Sequence, residues 1–238
     1  MTDMGKRTLL KIVITLIIFL IGGIAVYQFW WVPKRKAELN LLKTSLENLQ
    51  KITSLKYQAW SSVNGVVTKT NIWRKTISGE ERGRTELLAP NTDELQMIVI
   101  GDTLNNEIFY YRPTTNIARR KTIGDDELRD SEGGTASFAR EWTLIMESNP
   151  SILGKEIIGD REYIVVKTKN GEKEIKQWKS WIWTAYGIPV REMALDRDYR
   201  GIETGRDNVE VNVDIPDDVF TLPAGAQVVP FSQEEAVK

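Results

Sequence analysis

The most constraining feature of the sequence is an uncharged run near its N-terminus. From Ile12 to Val32 there are 21 consecutive residues without a charged side chain. At 1.5 Å per helical residue they would span about 31 Å, close to the thickness of a bilayer's hydrocarbon core. The run ends in amphipathic aromatics that favour the headgroup level, namely Tyr27, Phe29, Trp30 and Trp31. It therefore predicts a transmembrane signal-anchor at residues 12–32, preceded by a short cytoplasmic segment at residues 1–11.

A cleaved signal peptide is the alternative interpretation of this segment. Its basic n-region would be Lys6, Arg7 and Lys11, and Gly23-Ile24-Ala25 would be a small-x-small cleavage site. We favour the uncleaved anchor because the apolar run continues through "VYQFWWV" for a full span. Basic residues flank both ends, with Lys34, Arg35 and Lys36 on the far side, so the positive-inside rule does not fix the orientation. A lipoprotein anchor is excluded because the chain has no cysteine to acylate.

The remainder of the chain is acidic and lacks the residues of several kinds of chemistry. Beyond residue 36 there are 26 Lys and Arg against 32 Asp and Glu, so this part does not have the basic surplus of a nucleic-acid binder. With no histidine and no cysteine, Ser-His or Cys-His pairs and His/Cys zinc sites cannot form. The acidic runs at 125–127 and 217–218 lack calcium-loop spacing and are interpreted as solvated loop charges. The segment "GEERGRTE" at 79–86 does not match a glycine-rich phosphate-binding loop, and its glycines are interpreted as turn residues. We expect no enzymatic activity, no metal and no cofactor.

Two amphipathic helices and eleven strands are predicted from hydrophobic spacing. Leu39, Leu42, Leu46, Leu49 and Ile52 form one stripe, which predicts a helix over 37–52. A second helix is predicted in "TASFAREWTLIMES", where Phe138, Trp142, Ile145 and Met146 share a face and Asn149-Pro150 ends the pattern. β-Branched and aromatic residues between turn signals predict strands near 55–63, 66–77, 82–89, 95–101, 106–112, 115–122, 154–159, 161–169, 174–185, 189–198 and 206–214. Their close succession leaves no room for crossover helices, so the fold class is α+β with an antiparallel meander. The domain is placed at 33–229, with a C-terminal tail at 230–238.

The strand through 178–186 is apolar on both faces. Alternation places Trp181 and Trp183 on one face, and Trp178, Ile182 and Tyr186 on the other. In a meander with one face exposed to solvent, the side chains on that face would be polar. Two interpretations stay open: a core packed on both sides of the sheet, or a covered side that is incompletely filled and holds an apolar ligand.

Several segments resemble the LolA-like family, which includes periplasmic lipoprotein carriers and lipoprotein-sorting proteins. The similar segments lie between residues 37 and 229: "TNIWRKTISGEERGRTE", "GKEIIGDREYIVV", "WIWTAYGIPVREMALD" and "VEVNVDIPDDVFTLPAGAQVV". The most specific parts are Gly187-Ile188-Pro189 after the aromatic strand and the ending Ile215-Pro216-Asp217-Asp218-Val219-Phe220 with Leu222-Pro223. Other members act in envelope stress or, in spore-forming bacteria, in germination through protein partners.

The resemblance implies a strongly curved antiparallel sheet, an incomplete β-barrel whose concave side is covered by helices over an apolar cavity. It also implies a location outside the cytoplasmic membrane, where the domain would bind a lipid, a lipoprotein or another apolar ligand. The alternative is a non-enzymatic interaction or regulatory module of the cell envelope, with a filled core and a protein partner. A membrane-anchored chain cannot cross an envelope space with its cargo, so a role as a freely diffusing carrier does not fit. The candidate cavity residues are Met97, Val99, Phe109, Tyr111, Phe138, Trp142, Trp181 and Trp183.

Overall fold

The computed structural model describes most of the chain beyond the N-terminal segment. It covers residues 32–77, 80–122, 142–148, 150–170, 176–195 and 201–231, with isolated positions between 16 and 28. The chain divides into two compact units, residues 1–44 and residues 45–238.

Twelve strands and two α-helical stretches are present among the described residues. Helix α1 spans Val32–Leu49, and a second helical stretch, α2, spans 142–147. The strands are β1 Ser54–Val63, β2 Val66–Ile77, β3 Glu80–Leu88, β4 Leu95–Asp102, β5 Glu107–Arg112, β6 Ile117–Thr122, β7 Ser151–Ile158, β8 Arg161–Asn170, β9 Lys176–Trp183, β10 Ile188–Ala194, β11 Glu203–Val211 and β12 Gln227–Pro230. A 3-10 helix lies at Asp217–Phe220. All eleven predicted strands are found with their ends within four residues of the prediction, and β12 was not predicted.

One open, curved sheet contains all twelve strands, in the order β12-β6-β5-β4-β3-β2-β1-β11-β10-β9-β8-β7. Neighbouring strands are antiparallel, as the short connections predict, except that β12 runs parallel to β6. The non-local pairing of β1 with β11 joins the two halves of the meander, and a bulge lies between Lys56 and Gln58. Asn208, in the facing part of β11, has a left-handed backbone.

The prediction that helices cover the sheet is wrong for the described part of the chain. Ser45 Oγ of α1 donates to the main-chain oxygen of Thr184 at 2.6 Å, and Asn48 Nδ2 donates to that of Ala185 at 3.1 Å. The indole N–H of Trp142 in α2 donates to the main-chain oxygen of Gly187. These hydrogen bonds fix both helical stretches to the β9–β10 turn. Among the described residues, the helices of the predicted family lid therefore contact the sheet at one end.

The C-terminal segment covers the apolar residues at the β4–β6 end. Leu222 and Ala226 pack on a buried cluster of Ile98, Ile100, Tyr111 and Ala118. Further contacts hold the segment down: Lys75 Nζ donates to Asp217 at 2.9 Å and to the main-chain oxygen of Ile215 at 2.8 Å, and Arg84 donates to that of Val219. Phe220 is buried, as expected from its place after the last predicted strand.

The predicted signal-anchor at 12–32 lies largely outside the described residues. Among the residues that the structure does describe, no helix combines the length and the apolar character needed to cross a membrane. Of the predicted tail at 230–238, residues 232–238 lie outside the described residues, as does Phe138 of the second predicted helix.

Gly83 corrects one detail of the sequence interpretation. It lies within β3 directly opposite Arg74 of β2, so it is not a turn residue. A Cβ at this position would overlap the guanidinium of Arg74. The glycine therefore leaves room for the arginine side chain over the strand.

Candidate functional site

The two central tryptophans lie in an aromatic–basic cluster on one side of β7–β10. The cluster comprises Glu156, Arg161, Lys179, Trp181, Trp183 and Arg191. Strand register brings its members together, because Trp181 lies opposite Val165 of β8 and Arg191 of β10, while Trp183 lies opposite Tyr163. Residues that face each other in antiparallel strands share a side of the sheet, so the cluster follows from register alone.

Trp181 is buried beneath charged side chains. Lys179 Nζ lies 4.2 Å from its ring centroid, and the Arg191 guanidinium carbon lies 5.1 Å from it. The indole N–H donates to Glu156 Oε2 at 2.8 Å. This hydrogen bond, followed by the charges of Lys179 and Arg191, lowers the pKa of the Glu156 carboxyl. The ring is thus fixed by cation–π contacts and one charge-assisted hydrogen bond, which leaves no open apolar surface at this residue.

Trp183 is only partly buried. Arg161 stacks on its ring with 4.2 Å between the guanidinium carbon and the centroid, and Tyr186 meets it edge-on at 4.8 Å. Arg161 also donates to the main-chain oxygen of Val209 at 3.0 Å, which fixes the stacked guanidinium. Trp183 therefore presents a rigid aromatic and basic surface beside Tyr186.

The strand next to this cluster forms an edge of the sheet. Within the described residues β7 pairs only with β8, and its other side has no strand neighbour. Three apolar side chains on β7 are strongly exposed: Ile157 at 75%, Leu153 at 54% and Ile158 at 50%. Exposed apolar edges of this kind pair readily with another strand, and proteins usually protect them with charge, proline or a cover.

The seven predicted cavity residues that the structure describes do not converge on one site. Tyr111 and Phe109 face Ile98 and Ile100 across β4–β5, so Met97 and Val99 point to the opposite side of the sheet. Phe109 and Tyr111 belong to the apolar cluster under the C-terminal segment.

Trp181 and Trp183 belong to a separate cluster with Tyr163, Val165, Val190 and Met193. Trp142 is completely buried, and Phe138 lies outside the described residues. The structure therefore divides the set between two sides of the sheet and between separate clusters.

The basic and acidic members of the cluster were missed in the sequence. A usable signal was present for two of them, since alternation on one strand places Lys179, Trp181 and Trp183 on the same side. No local sequence pattern indicates Arg161 or Glu156 as members of the cluster, because their positions depend on the β7–β8–β9 register. In the described part of the chain, no group of acidic residues is arranged to hold a metal ion.

The architecture of the described residues defines a fold class: one open, curved antiparallel sheet, which agrees with a LolA-like fold. No protein-family model matches the sequence, and a search of curated proteins finds no match. Solved structures are similar at the level of the fold. The Pseudomonas aeruginosa MucA/MucB complex aligns with a TM-score of 0.52 at 15% identity, covering 81% of this chain and 62% of that chain. A structure of MucB aligns with a TM-score of 0.51 at 13% identity, covering 79% of this chain and 64% of that chain.

A LolA superfamily protein from Nitrosomonas europaea is also among the similar structures. It has a TM-score of 0.32 at 11% identity, with 75% of this chain and 96% of that chain covered. The resemblance to the LolA-like family is confirmed as a likeness of fold, at low sequence identity. The chain spans less than two thirds of the MucB chains.

Proposed function

We propose that the protein is a non-enzymatic, membrane-tethered module outside the cytoplasm that binds another envelope protein along β7. One observation carries the proposal. Among the described residues, the outer edge of β7 has no strand partner for its main-chain groups, and it carries the exposed side chains of Leu153, Ile157 and Ile158 next to the aromatic–basic cluster. A buried apolar side chain contributes about 1.5–3 kcal/mol relative to an exposed one, so covering this edge would stabilise a complex.

The chemistry of the edge favours an extended, apolar segment as the partner. Such a segment would add to the sheet as a strand, with main-chain hydrogen bonds providing affinity and alternate side chains providing specificity. The nearby charges already have partners, since Lys155 pairs with Glu162 at 3.1 Å and Lys179 with Glu156 at 3.4 Å. A strongly charged partner is therefore not required.

The side chains beside the edge suit a protein interface. Trp183, Tyr186 and Arg161 form a stacked, half-exposed group. Tryptophan, tyrosine and arginine are enriched where protein interfaces gain most of their binding energy, because rigid aromatic side chains lose little entropy on binding. The partner segment would pack its side chains on this group while pairing with β7.

The tether is the uncharged run at 12–32. The described positions in this run are helical and carry exposed apolar side chains, among them Leu16, Phe19, Leu20 and Val26. An uncharged run of this length is expected where a chain crosses a lipid bilayer. The LolA-like resemblance supports the proposed location outside the cytoplasmic membrane.

The fold comparison supports a protein partner in a general way. MucB, to which this chain is similar in fold, has been solved in complex with MucA. A lipid or lipoprotein acyl chain is the competing ligand, and the division of the predicted cavity residues between two sides of the sheet speaks against it.

Site-directed crosslinking of the full chain in cells that produce it tests the proposal. The sequence has no cysteine, so a single Ile157→Cys variant gives one reactive thiol on the exposed edge. Leu104→Cys is the matched control, because Leu104 is also exposed but lies in the β4–β5 turn. We expect one discrete protein adduct at position 157, its absence at position 104, and its loss when Leu153→Lys is added to the Ile157→Cys chain.

Equal adducts at both positions would contradict the proposal. A lipid ligand would give another pattern. A fatty-acyl probe would then change the tryptophan emission of the purified full chain, Trp183→Phe would remove that change, and position 157 would give no protein adduct.

A further inference from the structure

The register of β7 and β8 shows which main-chain groups of β7 face the free edge of the sheet. Glu162 of β8 lies opposite Ile157, and its main-chain oxygen accepts a hydrogen bond from the amide of Thr184, the residue after β9, at 3.0 Å. In an antiparallel ladder the N–H and C=O of one residue point to the same side, so the main chain of Glu162 faces β9 and that of Ile157 faces away from β8. Alternation gives Lys155 the same outward direction.

One apolar side chain of this edge lies on the side of the aromatic–basic cluster. Glu156 accepts the indole N–H of Trp181, which places Glu156 on that side. Ile158, two residues further along, shares the side and lies opposite Arg161, whose guanidinium stacks on Trp183. Half of the Ile158 side chain is exposed, so it forms an uncovered apolar border to the stacked pair.

A second apolar side chain of the edge points to the other side of the sheet. Ile157 is 75% exposed and alternates with Ile158, so the two isoleucines lie on opposite sides. Ile164 of β8, opposite Lys155 and diagonal to Ile157, is fully buried. Ile157 therefore extends the buried apolar surface of this side to the free edge.

The charged side chains of the edge already form ion pairs within the domain. Lys155 Nζ lies 3.1 Å from Glu162 Oε1, and Lys179 Nζ lies 3.4 Å from Glu156 Oε1. A charged residue on a partner strand would compete with one of these pairs, whereas an apolar residue would leave both intact.

We infer that the strand received by β7 is apolar at consecutive positions, with one side chain packed on Ile157 and the next packed on Ile158 beside the stacked Arg161 and Trp183. Strands that are buried on both faces have continuous apolar runs, whereas an amphipathic strand would cover one isoleucine and place a polar side chain on the other. Main-chain hydrogen bonds to Lys155 and Ile157 would fix the register of the partner. This inference rests on the proposed function and specifies the partner's sequence.

Crosslinking from both sides of the edge tests the inference in cells that produce the full chain. Single Ile157→Cys and Ile158→Cys variants place the one thiol of the chain on opposite sides of the same edge. We expect the same protein in both adducts. Sequencing of the crosslinked peptide should give successive uncharged, apolar residues at the site of attachment.

Lysine substitutions test each side separately. Ile158→Lys added to Ile157→Cys, and Ile157→Lys added to Ile158→Cys, should each lower the adduct yield at least about tenfold, because apolar burial is lost and a charge is placed in the interface. Val228→Lys is the matched control, because Val228 is 48% exposed on β12 at the opposite edge of the sheet. It should leave both adducts unchanged.

Proline at position 155 tests the main-chain hydrogen bonds. Lys155→Pro removes an amide that faces away from β8, which an edge strand tolerates. The Ile157→Cys adduct should then fall at least about fivefold, because the partner strand loses a donor. Lys155→Ala keeps the amide and should retain the adduct. An undiminished adduct in Lys155→Pro overturns the inference, and the lysine substitutions decide if the proline disrupts folding.

The outcomes separate this inference from the proposed function. No protein adduct at either position would refute both. An adduct at position 157 without one at position 158, a lysine effect from one side alone, or a crosslinked peptide with alternating polar residues would overturn the inference and leave the proposed function standing.

Discussion

The indole N–H of Trp142 donates a hydrogen bond to the main-chain oxygen of Gly187, 45 residues further along the chain. Gly187 has a left-handed backbone with φ of 68°, and its amide donates to the main-chain oxygen of Trp183 at 2.8 Å. Helix α1 approaches the same turn, since Ser45 Oγ donates to Thr184. This turn is where the described helical residues meet the sheet, and it explains the "GIP" motif as a packing requirement.

We expect Gly187→Ala to destabilise the protein strongly. A Cβ at 187 would stand 2.9 Å from Trp142 Nε1 and would also crowd the main-chain oxygen of Ser45. The left-handed backbone costs about 1–2 kcal/mol for alanine, and overpacking adds about 1–3 kcal/mol. Gly65→Ala is the control, because Gly65 has φ of 82° but open space around it. Chemical denaturation measures both variants, and equal losses of stability would show that the crowding has no effect.

A second prediction concerns the crossing of Arg74 over Gly83. Gly83→Ala should cost about 1–3 kcal/mol because the guanidinium must move, whereas Gly101→Ala should change stability little. In a double-mutant cycle with Arg74→Ala, we expect a coupling free energy of about 1 kcal/mol or more, since removing the arginine relieves the overlap. Additive effects in denaturant unfolding would mean that the two residues are not in contact.

The pH dependence of stability should reveal the buried carboxyl of Glu81. Because burial raises its folded-state pKa, the folded protein binds the proton more tightly than the unfolded chain does. Stability should therefore fall as the pH rises from the ordinary glutamate pKa through the raised one. Glu81→Gln should remove this fall, whereas Glu94→Gln, at an exposed position, should retain it. A stability profile of Glu81→Gln that parallels the unmodified chain across this pH range would refute the assignment.

The contribution of Glu156 to stability should depend on pH in the opposite direction. Its folded-state pKa is lowered, first by the Trp181 hydrogen bond, so it stabilises the fold above its unfolded pKa. That contribution is lost as the pH falls through the lowered pKa. In Trp181→Phe the donor is gone, and ¹³C NMR titration should show the Glu156 pKa moving back up. Trp183→Phe, which removes no hydrogen bond to Glu156, should leave the titration unchanged, and the same upward movement in both variants would argue against the indole as the cause.

Protease treatment of intact protoplasts tests the predicted placement of the domain. We expect residues 45–238 to be digested from outside, because the proposed function requires the domain to lie beyond the cytoplasmic membrane. Digestion after lysis is the positive control. Complete protection of the domain in intact protoplasts would contradict the predicted topology.

Local sequence pattern was sufficient to predict the strands, but not to predict how the strands pair or which side chains face each other in the sheet. Period-two alternation and turn residues located eleven strands and the faces of Trp181 and Trp183. β12 was missed because "QVVP" is short and ends in proline, and its place depends on pairing with β6.

The candidate cavity failed to converge for a similar reason. Met97 and Val99 were grouped with Phe109 and Tyr111, but the β4–β5 register places Ile98 and Ile100 opposite those aromatics. A shift of one residue reverses every side chain on a strand, and hydrophobic pattern cannot detect it where both faces are apolar. Helical cover was inferred from the family, whereas the cover at β4–β6 comes from the C-terminal segment.

Amide hydrogen exchange along β7 tests the central claim most directly. It compares the full chain alone with the chain in the complex captured through Ile157→Cys. The account predicts that amides of Ser151–Ile158 not bonded to β8 become protected by at least about tenfold in the complex, because a partner strand then accepts their hydrogen bonds. Amides of β12, at the opposite edge of the sheet, should exchange at unchanged rates. Unchanged exchange along β7 in the complex would contradict the account.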